Sequence, residues 1–293
     1  MKTSKIIVAL LMTVLLASCA STQGPNGTEG PRPKIALVLG GGAARGFAHV
    51  GVIRALEQEK IPIDLIVGTS VGSLIGAIYA SDMNSFELEW TAFALEKDDV
   101  FDYGLMSAFT GMGLAKGDKL EEFVRKKIAT VNIENLKVPF AAVATDLNRG
   151  TRVVLDRGSV AKAVRASSAI PGVFNPVEYQ GKLLVDGGVM DNIPIAVARE
   201  KGVDIVIAVD ISENVTNFNI TNLVDVMLQS VNIMFAENVG HRKKNADVLI
   251  TPSVGNVGML DFTQKKRCMQ AGIEATQKAM PEIRKKIEEW KKK

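Results

Sequence analysis

Short apolar runs punctuate this chain at 35–39, 63–67, 140–145, 152–155, 183–185, 205–209 and 248–250. Most lack the polar alternation of a half-solvated strand, so they read as strands buried on both faces. Helical stretches lie between most of them. That rhythm predicts an α/β fold: a mainly parallel central sheet with helices on both faces, in three α/β/α layers. Residues 82–118 break the rhythm. They carry Phe93, Phe101, Tyr103, Leu105, Met106, Phe109, Met112 and Leu114 among Gly104, Gly111, Gly113 and Gly117. Such a segment is either a mobile apolar lid over a pocket or a helical insertion packed on the core. Residues 265–291 read as one helix, with Ile283, Ile287 and Trp290 on one face and Lys285, Lys286, Lys291, Lys292 and Lys293 around it. It either packs on the domain or touches an anionic membrane surface.

The first residues add a location. Lys2 and Lys5 precede the apolar stretch Ile6 to Leu16, which is too short for a bilayer span of about 20 residues. Leu16-Ala17-Ser18-Cys19 then resembles a bacterial lipobox, whose cysteine is lipidated and becomes the mature N-terminus. Residues 1–18 are thus expected to be a leader, 19–33 a lipidated Cys19 with a flexible Pro/Gly-containing tether, and 34–293 the folded domain. The expected place is the bacterial cell envelope, on the periplasmic side. Ala20, where inner-membrane retention uses aspartate, favours the outer membrane in a Gram-negative cell. Composition agrees with a globular domain, at 47% hydrophobic and 23% charged. The formal net charge is +3 and falls to +1 without Lys2 and Lys5, which gives no electrostatic case for nucleic acid. With Cys19 as anchor, Cys268 has no partner for a disulfide. Neither cysteine stands at metal-ligand spacing from a histidine, and no cofactor is implied.

The chemistry starts at Gly68-Thr69-Ser70-Val71-Gly72, directly after the apolar run 63–67. A nucleophilic serine needs a sharp strand-to-helix turn that lifts its Oγ clear of the sheet, and flanking glycines permit the strained backbone. Small residues at 72, 73, 76 and 77 would let the following helix press against the sheet. A second turn, Gly40 to Gly46, follows the strand at 35–39 and opens another helix. Its side-chain-poor backbone exposes N–H groups that can hold an anion, either an oxyanion or a nucleotide phosphate. Arg45 could anchor this loop or attract an anionic head group. Asp186, in Val185-Asp186-Gly187-Gly188, ends a strand where it could meet a serine on a neighbouring strand. Histidine is the commoner base, but the two in this chain read otherwise: His49 as a packed helix residue and His241, in His241-Arg242-Lys243-Lys244, as solvated surface.

Together the Gly40–Gly46 loop, Gly68-Thr69-Ser70-Val71-Gly72 and Asp186-Gly187-Gly188 resemble the patatin-like phospholipase family. Ala141–Leu147, Ala166–Phe174 and Asp191-Asn192-Ile193-Pro194 match it too. The resemblance implies a Ser–Asp dyad, with Ser70 as nucleophile and Asp186 as general base. It maps an oxyanion hole onto the backbone of Gly41, Gly42 and Ala43, the last where many members carry glycine. It further implies a membrane phospholipid or another ester lipid as substrate, with lipid acyl hydrolysis of the phospholipase A or lysophospholipase type. Two alternatives stay open at this point: a Ser70–Asp–His241 triad esterase acting on soluble esters, and a lipid-binding scaffold lipoprotein without turnover.

Overall fold

A computed structural model of the chain describes residues 31–102, 113–212, 220–221 and 223–292. The segment expected as a leader, Cys19 and most of the expected tether lie outside them. Strand β1 (Ile35–Leu39) is followed by α1 (Phe47–Gln58), β2 (Leu65–Thr69) and α2 (Val71–Asp82). Two short helices, α3 (Ser85–Ala94) and α4 (Lys97–Val100), lead to β3 (Gly113–Ala115) and α5 (Asp118–Lys127). Then come β4 (Phe140–Asp146), β5 (Thr151–Leu155), α6 (Val160–Ser167), β6 (Gly172–Phe174), β7 (Val177–Tyr179) and β8 (Lys182–Asp186). The chain closes through α7 (Gly188–Asp191), α8 (Ile195–Glu200), β9 (Ile205–Val209), α9 (Leu223–Arg242), β10 (Val248–Ile250) and α10 (Lys265–Lys291).

The main sheet has the order β10-β9-β1-β2-β4-β8-β7, with β5 also on β4. Its pairs from β10 to β4 are parallel, and β5, β8 and β7 are antiparallel. The sheet is therefore mainly parallel, as its apolar runs require. Successive residues of β1 feed different layers. Ile35, Leu37 and Leu39 join a large cluster with α1, α2 and α10, while Ala36 and Val38 join a smaller one with Ile195, Val197 and Ala198 of α8. Short β3 and β6 pair apart from this sheet. Like β7, neither falls in one of the chain's apolar runs.

Strand β2 starts two residues after the apolar run does. Asp64 bends the chain into the sheet instead, donating its N–H to Ile35 O at 2.8 Å and accepting the Ile35 N–H on its carboxylate at 2.8 Å. The described part of 82–118 is a helical insertion. Leu88 and Ala92 of α3, then Leu95, Val100 and Phe101, are buried in the core. Of the two readings of this segment, residues 85–101 follow the packed helical insertion, and 103–112 lie outside the described residues.

Helix α10 spans the stretch read from sequence and packs on α1. A Cβ on Gly272 would fall 2.1 Å from Ala48 O, and one on Gly51 2.0 Å from Met269 O, so the two backbones touch. Ile283 is fully buried and Ile287 packs on the core. Of the two readings of this helix, packing on the domain is the one Ile283 and Ile287 follow, while Trp290 is only half-buried. Among the described residues no helix is long and apolar enough to cross a membrane.

Candidate active site

The sheet's register brings the two expected catalytic side chains together. Strand β4 pairs with β5 along one edge, so β2 and β8 must share the other. There Thr69 stands opposite Val143, and Asp186 opposite Ala144, one step further. Ser70 follows Thr69 at that same level. A parallel strand from one end and an antiparallel strand from the other thus meet head-on beside β4.

Ser70 adopts φ 54° and ψ −127°. That is a left-handed region a non-glycine residue occupies at a cost of about 1–3 kcal/mol, and it must be held there by its surroundings. The Ser70 N–H donates to Ser167 Oγ at 2.9 Å, and Ser167 Oγ–H donates to Val143 O at 2.6 Å. The Ser70 carbonyl accepts from the Ser73 N–H at 2.8 Å and the Ser73 hydroxyl at 2.7 Å. The glycines leave room for the turn. A Cβ on Gly68 would lie 2.5 Å from the Gly72 backbone, and one on Gly72 2.2 Å from Leu39 O. Ser70 occupies the N-cap position of α2, yet its side chain does not cap the helix, so the hydroxyl is left for other work.

Asp186 is fully buried. Its Oδ1 accepts the Gly188 N–H at 2.8 Å; Oδ2 has no well-formed hydrogen bond from the described residues, although the Ser70 hydroxyl lies near enough to the carboxyl to favour its charged form. Burial pushes its pKa up to about 7, opposed by the Ser70 hydroxyl and the Gly188 N–H, which favour the charged form. One segment steadies both partners. Beyond the Ser167 contact, Ala169 O accepts the Asp186 N–H at 2.9 Å. The Thr145 hydroxyl adds a bond to Asp186 O at 3.0 Å.

The glycine loop faces the same place. Of its three expected donors, Gly41 is committed: its N–H donates to Asn192 O at 3.2 Å. The N–H groups of Gly42 and Ala43 donate to none of the described residues. Ala43 holds φ 49°, a left-handed backbone that favours glycine. Arg45 anchors the loop from inside. It is 1% exposed, with Nε donating to Gly42 O at 3.1 Å and a terminal nitrogen to Asn232 Oδ1 at 3.2 Å. Buried and bonded in this way, it is not a surface attractor for a head group. His49 bonds Gly40 O through Nε2 at 2.8 Å and is fully buried. Desolvation pushes its pKa down to about 4 against the Gly40 bond and the Asp210 charge, so it is a neutral structural donor at neutral pH. His241 lies on α9, and its side chain is outside the description.

Beside Ser70 opens a pocket whose other walls are almost wholly apolar. Ala43, Val71, Leu74, Phe101, Ile170 and Phe174 are among them, and Ser168 is the other polar lining residue. The arrangement supplies a strained serine, a buried carboxyl titrating near neutrality, two loop N–H groups without an acceptor among the described residues and an apolar slot. These are the parts of acyl transfer from an apolar acyl chain.

Sequence reasoning gave no role to Ser167, Asn192 or Asn232. The first two stand in stretches that matched the family pattern, which was the available signal. Asn232, far along in α9, carried none.

A profile described as patatin-like phospholipase matches residues 37–199. The chain is 30% identical over 277 residues to a lysophospholipase NTE1 of Scheffersomyces stipitis, covering 82% of this chain and 17% of that protein. It is 39% identical over 180 residues to an uncharacterised NTE family protein of Mycobacterium tuberculosis, covering 61% of this chain and 49% of the relative. The chain thus spans half or less of the length of these relatives. Among solved structures, VipD from Legionella pneumophila superposes with a TM-score of 0.59 at 17% identity, over 86% of this chain and 67% of that one. The type III effector ExoU gives 0.50 at 14%, over 87% and 53%. At these identities the likeness speaks for the fold.

Proposed function

The chain belongs to the patatin-like phospholipase family, and on that premise we propose that it is a serine lipid acyl hydrolase working through a Ser70–Asp186 dyad. One observation carries the reading: a strained serine and a buried carboxyl are brought by the sheet register to one level, beside an apolar pocket. Ser70 Oγ attacks the ester carbonyl while Asp186 takes its proton. The Gly42 and Ala43 N–H groups hold the oxyanion, helped by the positive end of α2; losing one such donor typically costs about 3–4 kcal/mol. Asp186 returns the proton to the departing alcohol. Water, deprotonated by Asp186, then attacks the acyl carbonyl; the bond to Ser70 Oγ breaks, Asp186 returns the proton to Oγ, and the fatty acid leaves. A base with a pKa near 7 suits this work at neutral pH. The pocket selects an apolar acyl chain, which points to phospholipid or lysophospholipid esters. Incubating the purified chain with mixed phospholipids, lysophospholipids and glycerides should release free fatty acid, identified by mass. Lipid that binds but is recovered intact would favour the scaffold reading.

Location belongs to the same proposal. Cys19, lipidated, would hold the domain at the envelope membrane. Its tether of roughly 14 residues reaches about 20 Å as a random coil. Cys19→Ala should release the protein from the membrane fraction and lower turnover of membrane lipid, while the rate on a dispersed short-chain ester stays the same. Membrane pelleting that survives both this change and a high-salt wash would contradict the anchor.

A further inference from the structure

We propose that Met83, Phe86 and Trp90, with the groove between α3 and α10, form a face that lies on a lipid leaflet. Helix α3 is apolar on two sides. Leu88 and Ala92, four residues apart, face the core at 1% exposure each. Phe86 and Trp90, also four apart, stand 68% and 69% exposed, and Met83 just before the helix is 43% exposed. A helix apolar on both sides has buried one face in its own domain and still presents another to a partner.

Charge and position say what that partner is. The groove under Phe86 and Trp90 is lined by Glu89 and Phe93 on one side and by Lys266, Met269 and Gln270 on the other. Glu89 is paired with Arg54 at 2.5 Å. Lys266 has no ion-pair partner among the described residues, so the groove offers an aromatic pair beside an exposed lysine. Tryptophan with lysine suits the phosphate and carbonyl layer of a leaflet, where an indole buries its body and keeps its N–H wet. Met83 shares a surface cleft with Lys34, where the chain enters the sheet. At its other end α3 hands over through Leu95 to the wall of the catalytic pocket. A leaflet along this face would therefore run from the tether's attachment to the pocket's wall. This surface goes beyond the hydrolase reading, and its test needs no turnover.

The chain has two tryptophans, so in a Trp290→Phe background Trp90 reports alone. The full chain is reconstituted with vesicles of phosphatidylcholine and phosphatidylglycerol, in an otherwise native form and with Ser70→Ala. In both, Trp90 emission should shift to the blue and be quenched by brominated acyl chains. Changing Phe86 and Trp90 together to serine should lower hydrolysis of vesicle phospholipid roughly tenfold or more, given the apolar area withdrawn from the leaflet. The rate on a dispersed short-chain ester should not move. Trp90 that stays open to iodide and deaf to brominated lipid would overturn the proposal. So would protection from iodide that grows with protein concentration in the absence of lipid, since a second copy would then be the occupant.

Discussion

Ser70→Ala and Asp186→Asn should each lower ester hydrolysis by roughly four orders of magnitude or more, as removal of a nucleophile or its base does in other serine enzymes. The two losses have different origins. Alanine at 70 removes the attacking oxygen and leaves the elbow bonds to Ser167 and Ser73, which use backbone groups of residue 70. Asparagine at 186 keeps the shape and an oxygen for the Gly188 N–H but cannot accept the serine proton. Because the native carboxyl is fully buried, its neutral replacement should not unfold the protein. His241→Ala should stay within a few-fold of the parent rate. A His241→Ala loss as deep as that of Ser70→Ala, in a folded protein, would replace the dyad by a triad. Steady-state rates with matched circular dichroism spectra decide between them.

The second large effect is on pH, where Asp186 and His49 work against each other. Asp186 titrates near 7 in the fold and near 3.8 when unfolded. Across that window the native state holds a proton that the unfolded chain has lost, so this group's contribution to stability falls as pH rises, by roughly 4 kcal/mol in all. His49 titrates near 4 in the fold and near 6.5 when unfolded. There the unfolded chain holds the extra proton, so stability rises with pH through that window, by roughly 3 kcal/mol. Between about pH 4 and 6.5 the two slopes oppose and nearly offset. Asp186→Asn removes one of them. It should be more stable than the parent at alkaline pH and lose stability steeply on acidification below about 6.5. His49→Gln should show the reverse trend. Urea midpoints across this range test both, and parallel curves for parent and variants would contradict the burial of these groups. Activity should follow Asp186 ionisation, with kcat/KM rising through about pH 7 to a plateau.

Much of this site was legible because its signals are local. Ser70 sits in a short pattern with a backbone requirement, Asp186 closes a recognisable strand, and both expectations fell on residues the sheet brings together. The buried strands could be read for the same reason, since a sheet covered on both faces demands uninterrupted apolar runs. What escaped depends on contacts between distant residues. Nothing near Gly41 reveals that Asn192, some 150 positions later, accepts its N–H and leaves Gly42 and Ala43 as the free donors. Arg45 reads from sequence as an anchor or an attractor, and its contact with Asn232, nearly 190 positions away, makes it the anchor. The C-terminal helix showed an apolar stripe but not the surface that covers it. The exposed pair on α3 was invisible for a related reason: an aromatic at helical spacing looks alike whether it faces core or solvent.

The dyad itself can be read in one reaction. A fluorophosphonate probe should attach to a single serine, and peptide mass should place it on Ser70. Labelling should be abolished in Ser70→Ala and strongly slowed in Asp186→Asn, because the carboxylate no longer withdraws the hydroxyl proton. A folded protein that takes no label, or one labelled equally fast with asparagine at 186, would contradict the account.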